Sequence, residues 1–267
     1  MDDLDTQGTP ESEEMELSHS DKMIGVITEP SSTFSKIAKF PPKTMDWFLP
    51  MLILLVLVSL SRIVVMNNEE IAYQAKQKMR ENIEKAMAPR VESGQMTQEQ
   101  VDQIIDRQTN YAFGTIGKVI QTVSILVIGF IFFFIIAGIY FIFAKFVLKG
   151  NGTYTSALST TGLVSYISMI QVIVTALLSL LMSKMLTDTS VAAFLGSDKS
   201  TIVGWVLSKL DIFSIWAYAV TGIGLAKMFR SDNVKKYLIT IFAIWLLGSL
   251  LFFFLAKVVP FLKSFGM

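Results

Sequence analysis

Five long apolar segments constrain this chain more than anything else in it. A stretch of about 20 residues with almost no charge can satisfy its backbone in hydrocarbon only as a helix. The segments run from Trp47 to Met66, Val123 to Ala144, about Thr161 to Met182, about Ile212 to Phe229 and about Tyr237 to Ala256. In the first, Arg62 lies close enough to the end to snorkel into the headgroups. The fourth is short, and the third is richer in Ser and Thr. Of the 267 residues, 52% are hydrophobic and only 17% charged, which is too apolar and too sparsely charged for an ordinary soluble domain. The absence of cysteine excludes a disulfide-stapled secreted domain and a thiolate zinc site. A net charge of +1 argues against a nucleic-acid partner, which would call for a concentrated basic face.

The first apolar run begins at residue 47 behind an acidic stretch, without the basic n-region and small-residue cleavage site of a signal peptide, so it is expected to stay as a span. Five spans place the termini on opposite faces. Lys36, Lys39, Lys43, Lys145, Lys149, Lys227, Arg230, Lys235 and Lys236 would share a face with the N-terminus, which points to a cytoplasmic N-terminus. On the other face, seven Lys and Arg of segment 67–118 are offset by eight Asp and Glu. The expected fold class is an all-α integral membrane protein with five transmembrane helices, an N-terminal amphipathic interfacial helix, and an extracytoplasmic helical hairpin between spans one and two.

The charged residues mark what lies outside the bilayer. Residues 1–21 are acidic, with almost no large apolar group, and are expected to be disordered, with the single histidine, His19, as a solvated tail residue. In residues 22–46, Ser31 or Ser32 can cap a short helix with Phe34, Ile37 and Ala38 on one face, ended by Pro41 and Pro42. Lys36, Lys39 and Lys43 suit anionic headgroups, so an interfacial helix and a helix packed under the bundle both fit. Segment 67–118 is long enough to fold. Ile71, Ala75, Met79, Ile83 and Met87 recur near helical spacing, and Pro89 with Gly94 breaks the run. Thr97 and Gln100 have capping-box spacing ahead of Val101, Ile104 and Ile105. The hairpin either packs on itself or also docks a partner. Residues 47–66 and 119–264 form the bundle.

No chemistry is assembled in the sequence. HExxH, GxSxG and GxxxxGK[ST] patterns are all missing, as are a second histidine and a thiol, so no catalytic set, metal or cofactor is expected. Ionisable groups bordering spans remain candidates, because charge is costly in lipid. Asp46, Lys118, Lys145, Lys184 and Lys257 sit near interfaces, where anchoring suffices. Asp211 follows the amphipathic stretch TIVGWVLSKL and faces the N-terminal dipole of the fourth span, either as a cap or as an ion or substrate contact. Gln171, near the middle of the third span, can hydrogen-bond a neighbouring helix. Gly222 with Ala226, and Ser179 with Ser183, have the small-xxx-small spacing of close helix contacts.

Three stretches, in order and spacing, resemble the Ypt-interacting-protein (Yip) domain family of multi-span membrane proteins, in its bacterial branch. They are EPSSTFSKIAKFP (Glu29, Pro30, Phe34), GNGTYTSAL (Gly150, Gly152, Thr153, Tyr154) and LDIFSIWAYAVTGIGLAKMF (Asp211, Phe213, Trp216, Gly222, Gly224), within residues 24 to 260. The eukaryotic members' tyrosine-glycine-proline signature is missing, so their link to Rab-type GTPases is not carried over. The resemblance implies a five-helix protein with a cytoplasmic N-terminus and no established enzymatic activity, an accessory or membrane-organising factor alongside, for instance, an ABC-type exporter. The hairpin is longer than the family pattern implies. The expected partners are the lipid bilayer and other membrane subunits, with a homo-oligomer open. The alternative function is a small transporter, channel or lipid-handling protein, with Asp211 and Gln171 lining a cavity. The expected location is the bacterial cytoplasmic membrane.

Overall fold

The computed structural model describes residues 16–259, in which helices alternate with short turns and no strand forms. Two short helices come first, α1 (His19–Thr28) and α2 (Pro30–Ile37), followed by the long α3 (Met45–Met66). The hairpin consists of α4 (Glu69–Glu92) and α5 (Gln98–Phe113). Next are α6 (Thr115–Ile142), with a π-turn at Phe143–Val147, then α7 (Tyr154–Leu181) and the single turn α8 (Val191–Leu195). The last helices of the described residues are α9 (Ile202–Lys209), α10 (Ile212–Met228) and α11 (Val234–Val258).

Four of these, α3, α6 with its π-turn, α7 and α11, are long and apolar enough to cross a bilayer. The fourth predicted span is different. At 17 residues, α10 is short of the usual span, and it meets α9 at a 62° bend. Only together do the two reach the length and hydropathy of a span, in the form of a broken span or a re-entrant loop, with the break at Leu210 and Asp211. Elsewhere the helices outrun the predicted boundaries: α6 starts at Thr115 and α7 at Tyr154, because the polar residues of their first turns are helical although not greasy.

The bundle is organised around α7, which packs along α3 and against α10, α6 and α1, while α11 covers α10. The main core holds Phe34, Leu163, Ile167, Leu225, Phe229, Tyr237 and Ile241, all fully or nearly fully buried. A second cluster, Met51, Leu55, Phe133, Ala137 and Leu158, joins α3, α6 and α7. The outward faces of α6 and α11 carry exposed Val119, Ile131, Leu247 and Leu251, as expected of surfaces solvated by hydrocarbon rather than water.

Local signals fix the helix ends. Ser18 accepts a hydrogen bond from the Asp21 amide (3.1 Å) and starts α1, and Pro30 opens α2 at its first position. Thr97 and Gln100 close a reciprocal capping box at the start of α5, and Gly94 takes the left-handed conformation (φ +71°) that turns the hairpin. Ile83, Val101 and Ile105 bury the facing stripes of α4 and α5 against each other.

The N-terminal region departs from expectation. Residues 1–15 of the stretch predicted to be disordered, and 260–264 of the predicted bundle, lie outside the described residues. The boundary drawn at residue 21 falls inside α1. Val26, Phe34 and Ile37 of α1 and α2 are buried in the main core, so the apolar stripe packs under the bundle rather than on lipid. Lys36 remains exposed.

Candidate functional site

Two polar clusters are buried in the bundle, and each gathers residues far apart in sequence. The first forms at the break between α9 and α10. Opening a helix there leaves the first amides of α10 without carbonyl partners, and Asp211 caps them by accepting from the Phe213 amide (3.2 Å). Its carboxylate also accepts from Gln171 Nε2 (2.6 Å), the Thr189 hydroxyl (2.6 Å) and the Ser214 hydroxyl (2.7 Å). Asp211 is only 3% exposed, and none of these donors is a cation. Four hydrogen bonds thus converge on this carboxylate at the N-terminal end of α10. The cap reading and the helix-contact reading of the sequence thus describe one site, with Asp211 and Gln171 in direct contact. Thr189 and Ser214 escaped the sequence reading; Ser214, three residues beyond Asp211, was recoverable from the helix start alone.

Gln171 also lines a cleft of about 500 Å³ between α3 and α7, with Arg62, Thr175 and Asp188 among its walls. The Asp211 oxygens are already engaged by protein donors. Chemically, the cluster can hold two helices and the loop before α8 in register.

The second cluster joins the N-terminal region, the start of α3 and Tyr166 of α7, five residues before Gln171 on the same helix. Lys22, 3% exposed, reaches both oxygens of Asp46 (3.0 and 3.1 Å) and Glu16 (3.0 Å), and Glu16 also binds Lys43 (2.6 Å). His19 Nε2 and the Tyr166 hydroxyl are 2.6 Å apart, and the other ring nitrogen of His19 is 3.9 Å from Asp46. His19 is therefore a contact between α1 and α7, not a solvated tail residue. Asp46 likewise does more than anchor at an interface: at 2% exposed, it receives the Lys22 ammonium inside the fold. Hydrogen bonds from Lys43, and then from Lys22, hold the Glu16 carboxyl below the usual glutamate range, and the same contact raises Lys43. None of Glu16, Lys22 and Tyr166 was singled out from sequence. The Ser18-to-Asp21 spacing, a helix-start pattern, was the available signal.

The remaining candidates are packing positions. Gly150 and Gly152 let the loop before α7 lie directly on Phe229 and Tyr237, since a Cβ at Gly152 would sit 2.7 Å from the Phe229 ring. The Asn151 amide donates to the Phe229 carbonyl (2.8 Å), tying that loop to the end of α10. Tyr154 donates its hydroxyl to the Phe134 carbonyl of α6 (3.0 Å). Gly222 faces Leu238 of α11, Gly224 faces Thr160 and the Phe34 ring, and Trp216 packs partly buried on the main core. Lys43 is held by Glu16. Among the described residues, no three His, Asp or Glu side chains converge as a bound metal would require.

No curated protein and no solved structure matches the chain. The family model described as the Yip1 domain matches residues 24–255, from within α1 to within α11, and so takes in Phe34, Gly150, Tyr154, Asp211 and Gly224 together. With one family pattern running across all of these contacts, the chain belongs to the Yip1 domain family.

Proposed function

We propose that this protein is a non-enzymatic accessory or scaffold subunit of a membrane complex, such as an ABC-type exporter or a membrane-organising assembly, in the bacterial cytoplasmic membrane with its N-terminus in the cytoplasm. The carrying observation is how its polar groups are used. Asp211, Gln171, Lys22 and Asp46 direct their hydrogen bonds to neighbouring segments, while the α4–α5 hairpin, tied to the end of α7 by Gln74 and the Ser183 carbonyl, carries a charged, exposed surface on its own small core. A bundle that is closed on itself, with one projecting hairpin, suits lateral and extramembrane contacts to other subunits.

Affinity purification in mild detergent, with and without residues 69–108, tests this. Defined membrane subunits that co-purify with the full chain and are lost with the hairpin are the expected result; a lone monodisperse protein in both forms counts against it. A second reading, a small transporter, channel or lipid-handling protein, draws on the broken span and the cleft beside Gln171. Ion-flux and lipid-scrambling assays in liposomes separate the two, since activity abolished by Asp211→Asn would favour transport.

A further inference from the structure

At the hairpin-bearing end of the bundle, α9 and the last turns of α11 enclose a cleft of about 510 Å³, within the usual size of a ligand site. Its composition is unlike that of the rest of the surface. Lys199, Lys209 and Lys257 converge on it around Trp205 and Phe253, and no carboxylate lines it. Lys199 is paired outside the cleft with Asp188. Lys209 lies 5.5 Å from the Trp205 ring centre and 5.9 Å from that of Trp245, with the Asp188 carboxylate acting on it only at longer range, and Lys257 lies 4.3 Å from the Phe253 ring centre. Among the described residues neither ammonium makes a salt bridge, and the two share an aromatic-walled cleft. The Trp205 indole N–H is buried beside them and has no hydrogen-bond acceptor either.

Depth decides what kind of anion belongs there. α9 leaves α10 at 62°, and the cleft runs along α11 from Lys257 in its last turn inward to Ser249. Lys257 at the helix end suits the headgroup level, where lysine and tryptophan are favoured, while Lys209, beside Trp245, lies further in. The flank of α9 is apolar and open, with Val203 63% and Ile202 50% exposed, and Leu251 of α11 is 61% exposed. A ligand arriving from the side must therefore be anionic at one end and hydrocarbon at the other.

We propose that the α9–α11 cleft binds an anionic phospholipid, with the phosphate among Lys199, Lys209 and Lys257 and the acyl chains on the exposed apolar flank. The site is separate from the scaffold role and stands whether or not a protein partner exists. The test uses the full chain in phosphatidylcholine vesicles containing a minor fraction of brominated phosphatidylglycerol, read by quenching of tryptophan fluorescence. The brominated anionic lipid should quench more strongly than brominated phosphatidylcholine. Lys209→Gln and Lys257→Gln should each raise the half-quenching lipid fraction about fivefold. Lys257 is exposed at the end of α11, so its variant carries the test if Lys209→Gln does not fold. Equal quenching by the two lipids, no shift in the Lys257→Gln variant, or reversal by millimolar inorganic phosphate would each overturn the assignment, the last by showing a soluble-anion site.

Discussion

At Asp211, one side chain serves three neighbours, and the cost of removing it exceeds that of a lost cap. Asp211→Ala removes the cap, worth about 1 kcal/mol, and strands the donors on Gln171, Thr189 and Ser214 in a buried setting. We expect about 3 kcal/mol or more of destabilisation, measured by thermal unfolding in detergent. Asp211→Asn keeps the cap but turns an amide toward other donors, and should fall between that variant and the native protein. The buried ion pair behaves differently. Lys22→Met takes the ammonium away from buried Asp46, leaving it the Lys43 amide (3.4 Å) and His19, at a cost of about 3 kcal/mol, whereas joining it with Asp46→Leu should recover most of the loss. If the double variant is no more stable than Lys22→Met alone, the pair is not the source of the effect. Asp211 and Gln171 were visible in the sequence one at a time, because a polar group amid apolar residues is conspicuous. Their contact was not, since it spans 40 residues and depends on where α9 breaks. Lys22 and Glu16 were hidden for the opposite reason, as charges in a charged stretch.

The elements are held by shape as much as by polarity. At the crossing of α3 and α7, the Trp47 backbone lies directly on Gly162, and a Cβ there has nowhere to go without separating the helices. Gly162→Ala should therefore destabilise by about 1–3 kcal/mol, more than an alanine at exposed Gly94's neighbour Ser93, again by thermal unfolding. Gly162 sits in a helix with Ser and Thr on both sides, and spacing alone did not separate it from other small residues. The attachment of α1 is sensitive to pH. The folded-state pKa of Glu16 is depressed, so its contribution is present above the ordinary glutamate value and is lost as pH falls through the folded one. Glu16→Gln should lower the melting temperature slightly at neutral pH, with the gap to the native protein closing as pH falls below the ordinary glutamate range and through the depressed folded value. A gap that persists in acid would assign the effect to shape rather than charge.

For the molecule as a whole, the apolar segments made the all-helical membrane fold legible, and the family pattern spans the same stretch. The broken fourth span was less legible, because hydropathy averages across a bend that the Asp211 cap creates. The absence of native cysteine gives a direct check on topology. Single cysteines at Lys36 and Gly94 should react with impermeant maleimide from opposite sides of the membrane; labelling from the same side would require a different span count. The seating of α2 also dictates an order of assembly. Phe34 rests on Thr160 and Gly224, the second of which is made roughly 190 residues later, so at about 5–20 residues per second its seat is missing for about ten seconds or more. During that interval Val26, Phe34 and Ile37 are open to chaperones and proteases, and they are withdrawn only once α7 and α10 are in place. Burial of the first helices made thereby becomes a mark of completed biogenesis, and chains that stall before α10 leave their own degradation signal uncovered.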